Sequence, residues 1–315
     1  MSDHPLRNLT RQDIPACQKL RDLVQFNQTD ADWELLLDLD DQGLFGIHDG
    51  NRLIATVSAV AFPPPLGRAA QVNPFGWVGM MLVDPDYRGQ GLAKRLMAHA
   101  IKHLQVHCRA IAVKLDATPA GKKVYDGLGF RDLYTLERMS YVPAASAQGR
   151  TGDDGPDLRR GADDFRRTRP IDANVAPAIL HWDSQVFGAD RRFCLLRWQA
   201  RWPAVARWLP DSDGQPCAFG LARRGVRADS IGPILARDWP SAETMLAAMT
   251  HAVLRETDAA RTIYCDVLTR EPQLRALAER CGYTSLRPLT RQVLGEDLSP
   301  DTPQMILAIG APELG

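Results

Sequence analysis

Apolar residues at Ile14, Cys17, Leu20, Leu23 and Val24 repeat at helical spacing and predict a helix over residues 14–26. A second helix is expected over 31–39, with Asp30 as its N-cap. The pattern then changes period. Residues 43–48 and 52–62 are apolar runs on either side of Asp49-Gly50-Asn51, which predicts a hairpin. A short strand is expected over 6–9 and another over 77–83. Residues 92–108 read as a long amphipathic helix, with Leu92, Leu96, Ala100 and Leu104 on one face. A strand over 111–117, a short helix over 120–128 and a strand over 134–141 complete this half. The order predicts an α/β fold with a mixed sheet.

Residues 143–157, PAASAQGRTGDDGPD, are small, polar and rich in Gly and Pro, and read as a linker between domains 1–142 and 158–315. The second half repeats part of the first. Residues 230–236 (SIGPILA) match the strand pattern of 78–83, followed by a helix over 242–255, a strand over 262–268 and a helix over 273–280. That helix runs into Cys281-Gly282-Tyr283, as the earlier one runs into Leu128-Gly129-Phe130, and glycine at such a place is the usual left-handed helix cap. A diverged internal duplication accounts for both. The plainer alternative is that strand–helix–strand–helix order is common in α/β folds.

With 315 residues, the chain is long enough for two cores. Its 38 basic and 38 acidic residues give a net charge of zero, which disfavours nucleic acid or anionic lipid as a partner. The Arg-rich stretch 159–169 is interleaved with Asp163 and Asp164 and reads as solvated surface. Six separated cysteines show no CxxC pair and no zinc spacing, so no metal is expected, and a reduced, cytoplasmic compartment fits. No signal-peptide pattern opens the chain, and no apolar run is long enough to span a membrane.

The chemistry concentrates in residues 82–96, LVDPDYRGQGLAKRL. A strand ends at Asp84-Pro85, and a glycine-rich loop runs straight into a helix. Backbone N–H groups at such a helix start converge on an anion, usually a phosphate. Arg88 adds charge, and Gly89, Gly91 and Ala93 allow close approach. Neither GxxxxGK[ST] nor GxGxxG is present.

Arg88-Gly89-Gln90-Gly91-Leu92-Ala93 does resemble the (Arg/Gln)-x-x-Gly-x-(Gly/Ala) pattern of the GNAT N-acetyltransferase superfamily. Val83-Asp84-Pro85-Asp86-Tyr87 before it, and the stretch from Leu115 through Tyr125 to Gly129-Phe130 after it, extend the resemblance to residues 5–142. It implies acetyl-CoA as co-substrate. The strand edge at Met81, Leu82 and Val83 would pair with the pantetheine arm, and backbone from Gly89 through Gln90, Gly91 and Leu92 to Ala93 would hold the pyrophosphate. Thr118 stands where family members often carry Asn and would make the corresponding cofactor hydrogen bond. Tyr125 falls at the family's tyrosine position and is the candidate general acid for the departing thiolate. Buried tyrosine packing is the alternative for Tyr125.

The general base is not legible. Asp84 and Asp116 are weak candidates, since Asp84 before proline is a turn former and Asp116 suits a capping role. Trp33 is a candidate lining residue for the acceptor, although Phe26 nearby reads as core.

The second half lacks the loop. Gly79 to Leu96 spans 17 residues, Gly232 to Leu246 only 14, and Arg237-Asp238-Trp239-Pro240-Ser241 contains no glycine. It reads as a degenerate GNAT-like domain that shapes the acceptor site. Residues 182–191, WDSQVFGADR, resemble a stretch in a bacterial GNAT subgroup with a C-terminal acetyltransferase-like domain, as does the ending APELG. Asp183, Asp190 and Arg191 either bind a charged acceptor or form a self-contained structural pair. The expected activity is transfer of an acetyl group to a primary amine of a small molecule or amino acid. Acetylation of protein amines and non-catalytic acyl-CoA sensing are the alternatives, and homodimer formation is left open.

Overall fold

The computed structural model describes residues 4–65, 67, 74–143, 158–257, 261–297 and 301–315. The expected linker lies, past Pro143, outside the described residues. The first elements are β1 (Leu6–Asn8), α1 (Ile14–Leu23), α2 (Asp30–Leu39), β2 (Leu44–Asp49), β3 (Arg52–Phe62), β4 (Phe75–Val83) and α3 (Leu92–Lys102). Next come β5 (Ala112–Ala117), α4 (Pro119–Asp126), β6 (Arg131–Tyr141), α5 (Leu158–Arg167), β7 (Arg169–Pro170), α6 (Ala176–Phe187) and α7 (Arg192–Arg201). The chain continues through β8 (Arg207–Pro210), β9 (Pro216–Arg223), β10 (Asp229–Ala236), α8 (Trp239–Glu256), β11 (Ile263–Leu268), α9 (Pro272–Arg280), β12 (Thr284–Gly295) and β13 (Ile306–Ala308).

Several bounds differ from the sequence pattern: α1 ends at Leu23, and β4 and β6 begin at Phe75 and Arg131. Helix α2 starts at Asp30 itself, because Thr29 is the N-cap and its N–H donates to Asp32 at 2.7 Å. The long helix is α-helical only to Lys102 and then widens into a π turn over His103–His107.

The chain divides into two compact units. Unit 1 comprises Met1–Leu133, Arg291–Ser299 and Pro312–Gly315; unit 2 comprises Tyr134–Thr290 and Pro300–Ala311. In unit 1 the strands lie in the order β1, β2, β3, β4, β5, then residues 291–295 of β12. Neighbours from β1 to β4 are antiparallel, and β4 with β5 is parallel. Helix α3 buries Leu92, Leu96, Met97 and Ala100 against Phe45, Val57, Val78, Val113 and Leu115. Leu96 is fully buried, so truncating it to alanine costs about 2–5 kcal/mol. That packing fixes the start of α3 against the end of β4.

Unit 2 orders its strands as residues 284–290 of β12, residues 134–141 of β6, then β11, β13, β10, β9, β8 and β7. Helix α8 packs on β9 and β10 with Met245, Leu246, Met249, Ala252 and Val253 all buried. The inward positions recur every three or four residues, which the α-helical period requires.

Candidate active site

Strands β4 and β5 pair only at Phe75↔Ala112, Gly76↔Val113 and Trp77↔Lys114. Beyond Trp77 they part. The β4 edge over residues 78–83 then has no ladder partner on that side among the described residues, while its other edge stays paired with β3 as far as Ala55↔Val83. A register shift lies opposite, between Thr56 and Ser58. Within it Met80 adopts φ +47°, a left-handed conformation that costs a non-glycine residue about 1–3 kcal/mol. Thr56 Oγ1 donates to the Met80 carbonyl at 2.9 Å and holds the bulge. A strand edge left open in this way offers its N–H and C=O groups to an extended ligand.

The strand ends at Asp84. Its carboxylate accepts the Asp86 N–H at 3.1 Å and pairs with Arg52 at 2.6 Å, turning the chain through Pro85–Tyr87. Exposed Arg88 follows. Gly89 and Gly91 have φ of +79° and +80°, and a Cβ at either would meet nothing within 4 Å. Backbone conformation, not crowding, therefore calls for glycine. Gly91 is the N-cap of α3; no side chain caps this helix, and its first turn has no acidic residue. Its leading N–H groups lack intrahelical partners and carry the positive end of the helix. Together with exposed Arg88 and Gln90, they fit a pyrophosphate.

The second signature lies beside β5. Thr118 caps α4, its hydroxyl accepting the Gly121 N–H at 3.2 Å. Tyr125 is buried, with its ring 6.1 Å from that of Phe130, and burial pushes its hydroxyl up to about 12. Asp116 is gripped at both oxygens by Arg291, each contact 2.9 Å, with both side chains buried. The Arg291 guanidinium also lies 4.7 Å from the centre of the Trp77 ring. Both carboxylates singled out from the sequence are thus already bound to guanidinium groups. Trp33 is fully buried.

Three further residues of unit 1 could not be read from the sequence, because their partners are far away along the chain. Arg291 is one. Glu313 is another: a Cβ on Gly79 would sit 2.7 Å from the Glu313 backbone, so this buried glutamate packs directly over β4 where it leaves β5. Gln28 donates to Glu313 Oε2 at 3.0 Å. Trp77 Nε1 donates to the Pro312 carbonyl at 3.0 Å and fixes the same tail. The only sequence signal was the family likeness of the ending APELG.

Two family profiles match the chain. One, described as the acetyltransferase (GNAT) family, covers residues 9–130; the other, an acetyltransferase (GNAT) domain, covers residues 179–307. The chain belongs to the GNAT acetyltransferase family. Its GNAT domains are arranged in tandem. A putative acetyltransferase from Pyrococcus horikoshii is 18% identical, with a TM-score of 0.73 over 100% of this chain and 97% of the other. A GCN5-related N-acetyltransferase from Sphaerobacter thermophilus is 16% identical, with a TM-score of 0.61 over 96% and 98% of the two chains. A tandem GNAT protein from the clavulanic acid biosynthesis pathway is 12% identical, with a TM-score of 0.61 over 93% and 98%. At these identities the likeness is one of fold. N-alpha-acetyltransferase 30 of Saccharomyces cerevisiae is 39% identical over 57 residues, which make up 18% of this chain and 32% of the yeast protein. The match thus spans about a third of that relative. No helix among the described residues is long and apolar enough to cross a membrane.

The second GNAT domain lies in unit 2, and its strand split is filled. β10 and β11 pair in parallel at three positions, from Asp229↔Ile263 to Ile231↔Cys265. Beyond them β13 lies between the two, Ala308 pairing with Ile234 on one side and Val267 on the other. Asp183 and Arg191 form a bidentate pair at 2.8 and 2.9 Å, buried to 1% and 2% exposure, with Arg191 stacked 4.0 Å over Phe187. Asp190 accepts the N–H and Nε of Arg192 at the start of α7. Asp183 and Arg191 thus bind each other, and Asp190 binds Arg192, at the α6–α7 corner.

Proposed function

We propose that the first GNAT domain binds acetyl-CoA and transfers its acetyl group directly to a primary amine of a small molecule or amino acid. The observation that carries this reading is the run of unpartnered backbone from the β4 edge into the uncapped start of α3. Main chain at Met81, Leu82 and Val83 would take the pantetheine arm as an added strand. The N–H groups from Gly89 to Ala93, with Arg88 and Gln90, would take the pyrophosphate. The Thr118 hydroxyl accepts from Gly121 and keeps its own hydrogen for the cofactor. Acetyl-CoA supplies an acyl group already activated as a thioester.

The chain's own residues then manage protons and charge. On the open edge, a backbone N–H near Leu82 would donate to the carbonyl oxygen as it gains charge. Tyr125, with its hydroxyl pushed up to about 12, stays protonated at neutral pH and can give a proton to the departing thiolate. An alkylammonium has a pKa of about 10, so the acceptor must also lose a proton. Glu313 packs over β4 at Gly79, where β4 leaves β5, and we place it on the acceptor side as the proton-accepting carboxylate. The yeast match supports a second reading, in which the acceptor amine belongs to a protein.

The test is CoA release from acetyl-CoA across a panel of small amines, amino acids and peptides with free N-termini. Release with one class, abolished in Glu313→Gln but with acetyl-CoA binding intact, is the expected result. Tight acetyl-CoA binding with no release from any class would replace the enzyme with an acyl-CoA sensor.

A further inference from the structure

At the far end of α3 from the glycine loop, a second cluster of chemically active groups has no part in acyl transfer. Asp40, His103 and Cys108 present a carboxylate oxygen, an imidazole nitrogen and a thiol, all within 4.8 Å of one another. His103 Nε2 lies 2.8 Å from Asp40 Oδ2, Cys108 Sγ 3.5 Å from that nitrogen, and Cys108 Sγ 3.8 Å from that oxygen. We propose that these three residues form a zinc site.

Backbone geometry builds the cluster. Residues five apart on an α-helix point in different directions, which is why the spacing of His103 and Cys108 gives no zinc signal in the sequence. The π turn changes this: the Cys108 N–H donates to the His103 carbonyl at 3.2 Å, bringing both side chains to one face. Such turns inside helices cluster at functional sites. Asp40 ends α2, and its Oδ1 accepts the Gln42 N–H at 2.9 Å, leaving Oδ2 aimed at the imidazole. An outer hydrogen bond of this kind orients a carboxylate ligand.

The distances suit the ion. Tetrahedral zinc, with bonds of about 2.3 Å to sulfur and about 2.0–2.1 Å to nitrogen or oxygen, sets ligand atoms roughly 3.4–3.6 Å apart. Both sulfur contacts are close to that range already. The nitrogen–oxygen contact is a hydrogen bond that opens by roughly half an ångström as the metal replaces its proton. A mixed sulfur, nitrogen and oxygen set favours zinc over the hard cations calcium and magnesium. The three residues line a cavity of about 530 Å³ together with Asn8, Gln42 and exposed His107, so a fourth position is open to water. The ion would tie the end of α2 to the end of α3.

The probes are Co(II) and Zn(II), added to the reduced, full-length protein. Co(II) should give a thiolate charge-transfer band with a stoichiometry of one, displaced by Zn(II). Cys108→Ser should abolish the band, and His103→Gln or Asp40→Asn should weaken Co(II) binding at least 10-fold. Cys17→Ser should change nothing. Zinc at about 100 times its dissociation constant should raise the unfolding midpoint by roughly 5 °C in the parent and not in Cys108→Ser. Absence of the band, or a band that survives Cys108→Ser, would overturn the proposal. Both readouts are independent of acyl transfer.

Discussion

The two domains carry the same strand–turn–helix corner, and only one leaves its helix start without a capping side chain. From β4 to α3 the chain uses residues 84–91, with left-handed Gly89 and Gly91 and no capping side chain. From β10 to α8 it uses only residues 237–238, and Asp238 caps the helix, accepting the Ser241 N–H at 2.8 Å. A carboxylate occupies in unit 2 the position that a phosphate would take in unit 1. The strand splits differ in the same sense. The β4 edge is open, whereas β13 fills the gap between β10 and β11. Even the glycine turns agree: the Phe130 N–H donates to the carbonyl of Tyr125, and the Tyr283 N–H to that of Ala278. The hydroxyl-bearing side chain of one domain is therefore a methyl group in the other. The second domain thus differs from the first at three separate places while keeping a buried core.

The contrast can be broken most strongly at Tyr125. Tyr125→Phe removes the hydroxyl that the turn at Ala278 lacks, and kcat should fall about 100-fold or more with acetyl-CoA affinity unchanged. Steady-state turnover beside calorimetric affinity separates the two, and an unchanged kcat would leave Tyr125 a packing residue. Gly91→Asp makes the first corner resemble the second. It adds both a left-handed strain and a negative charge at the anion site, so acetyl-CoA should bind about 100-fold more weakly. Gly91→Ala, which adds strain without charge, should lose less; equal losses would show that charge at the helix start is irrelevant.

Asp238→Ala sharpens the comparison from the other side. Losing the cap should destabilise the protein by about 1 kcal/mol in urea unfolding. It should create no second acetyl-CoA site, because β13 still fills the strand gap. The smallest effect concerns pH. The Tyr125 hydroxyl is pushed up to about 12 in the folded protein. Unfolded tyrosine titrates near 10, so the folded state holds the proton more tightly. Stability from this group is complete below pH ~10 and is lost as pH rises from there towards about 12. Alkaline unfolding should be shallower in Tyr125→Phe than in the parent.

Much of this was legible because local rules govern it. Helical period gave α1, α3, α8 and α9, and the Asp49-Gly50-Asn51 turn gave the β2–β3 hairpin. The glycine loop is readable because its conformation demands glycine. Positions 143–157 stood out by composition alone. What stayed hidden depends on distant partners. Nothing beside Asp116 announces Arg291, and nothing near Gly79 announces Glu313. β13 is too short to be read by period, yet it decides whether the second strand split is open. The π turn at His103–His107 is invisible to a count of apolar positions, because Leu104 remains buried whichever helix type continues.

The most direct test of the central claim is a calorimetric titration of the full-length protein with acetyl-CoA, with NADH as a control. One saturable site per chain, abolished by Gly91→Asp and unaffected by Asp238→Ala, is the expected outcome. Two sites per chain would contradict the account of the filled second domain. No binding would contradict the function assigned to the first.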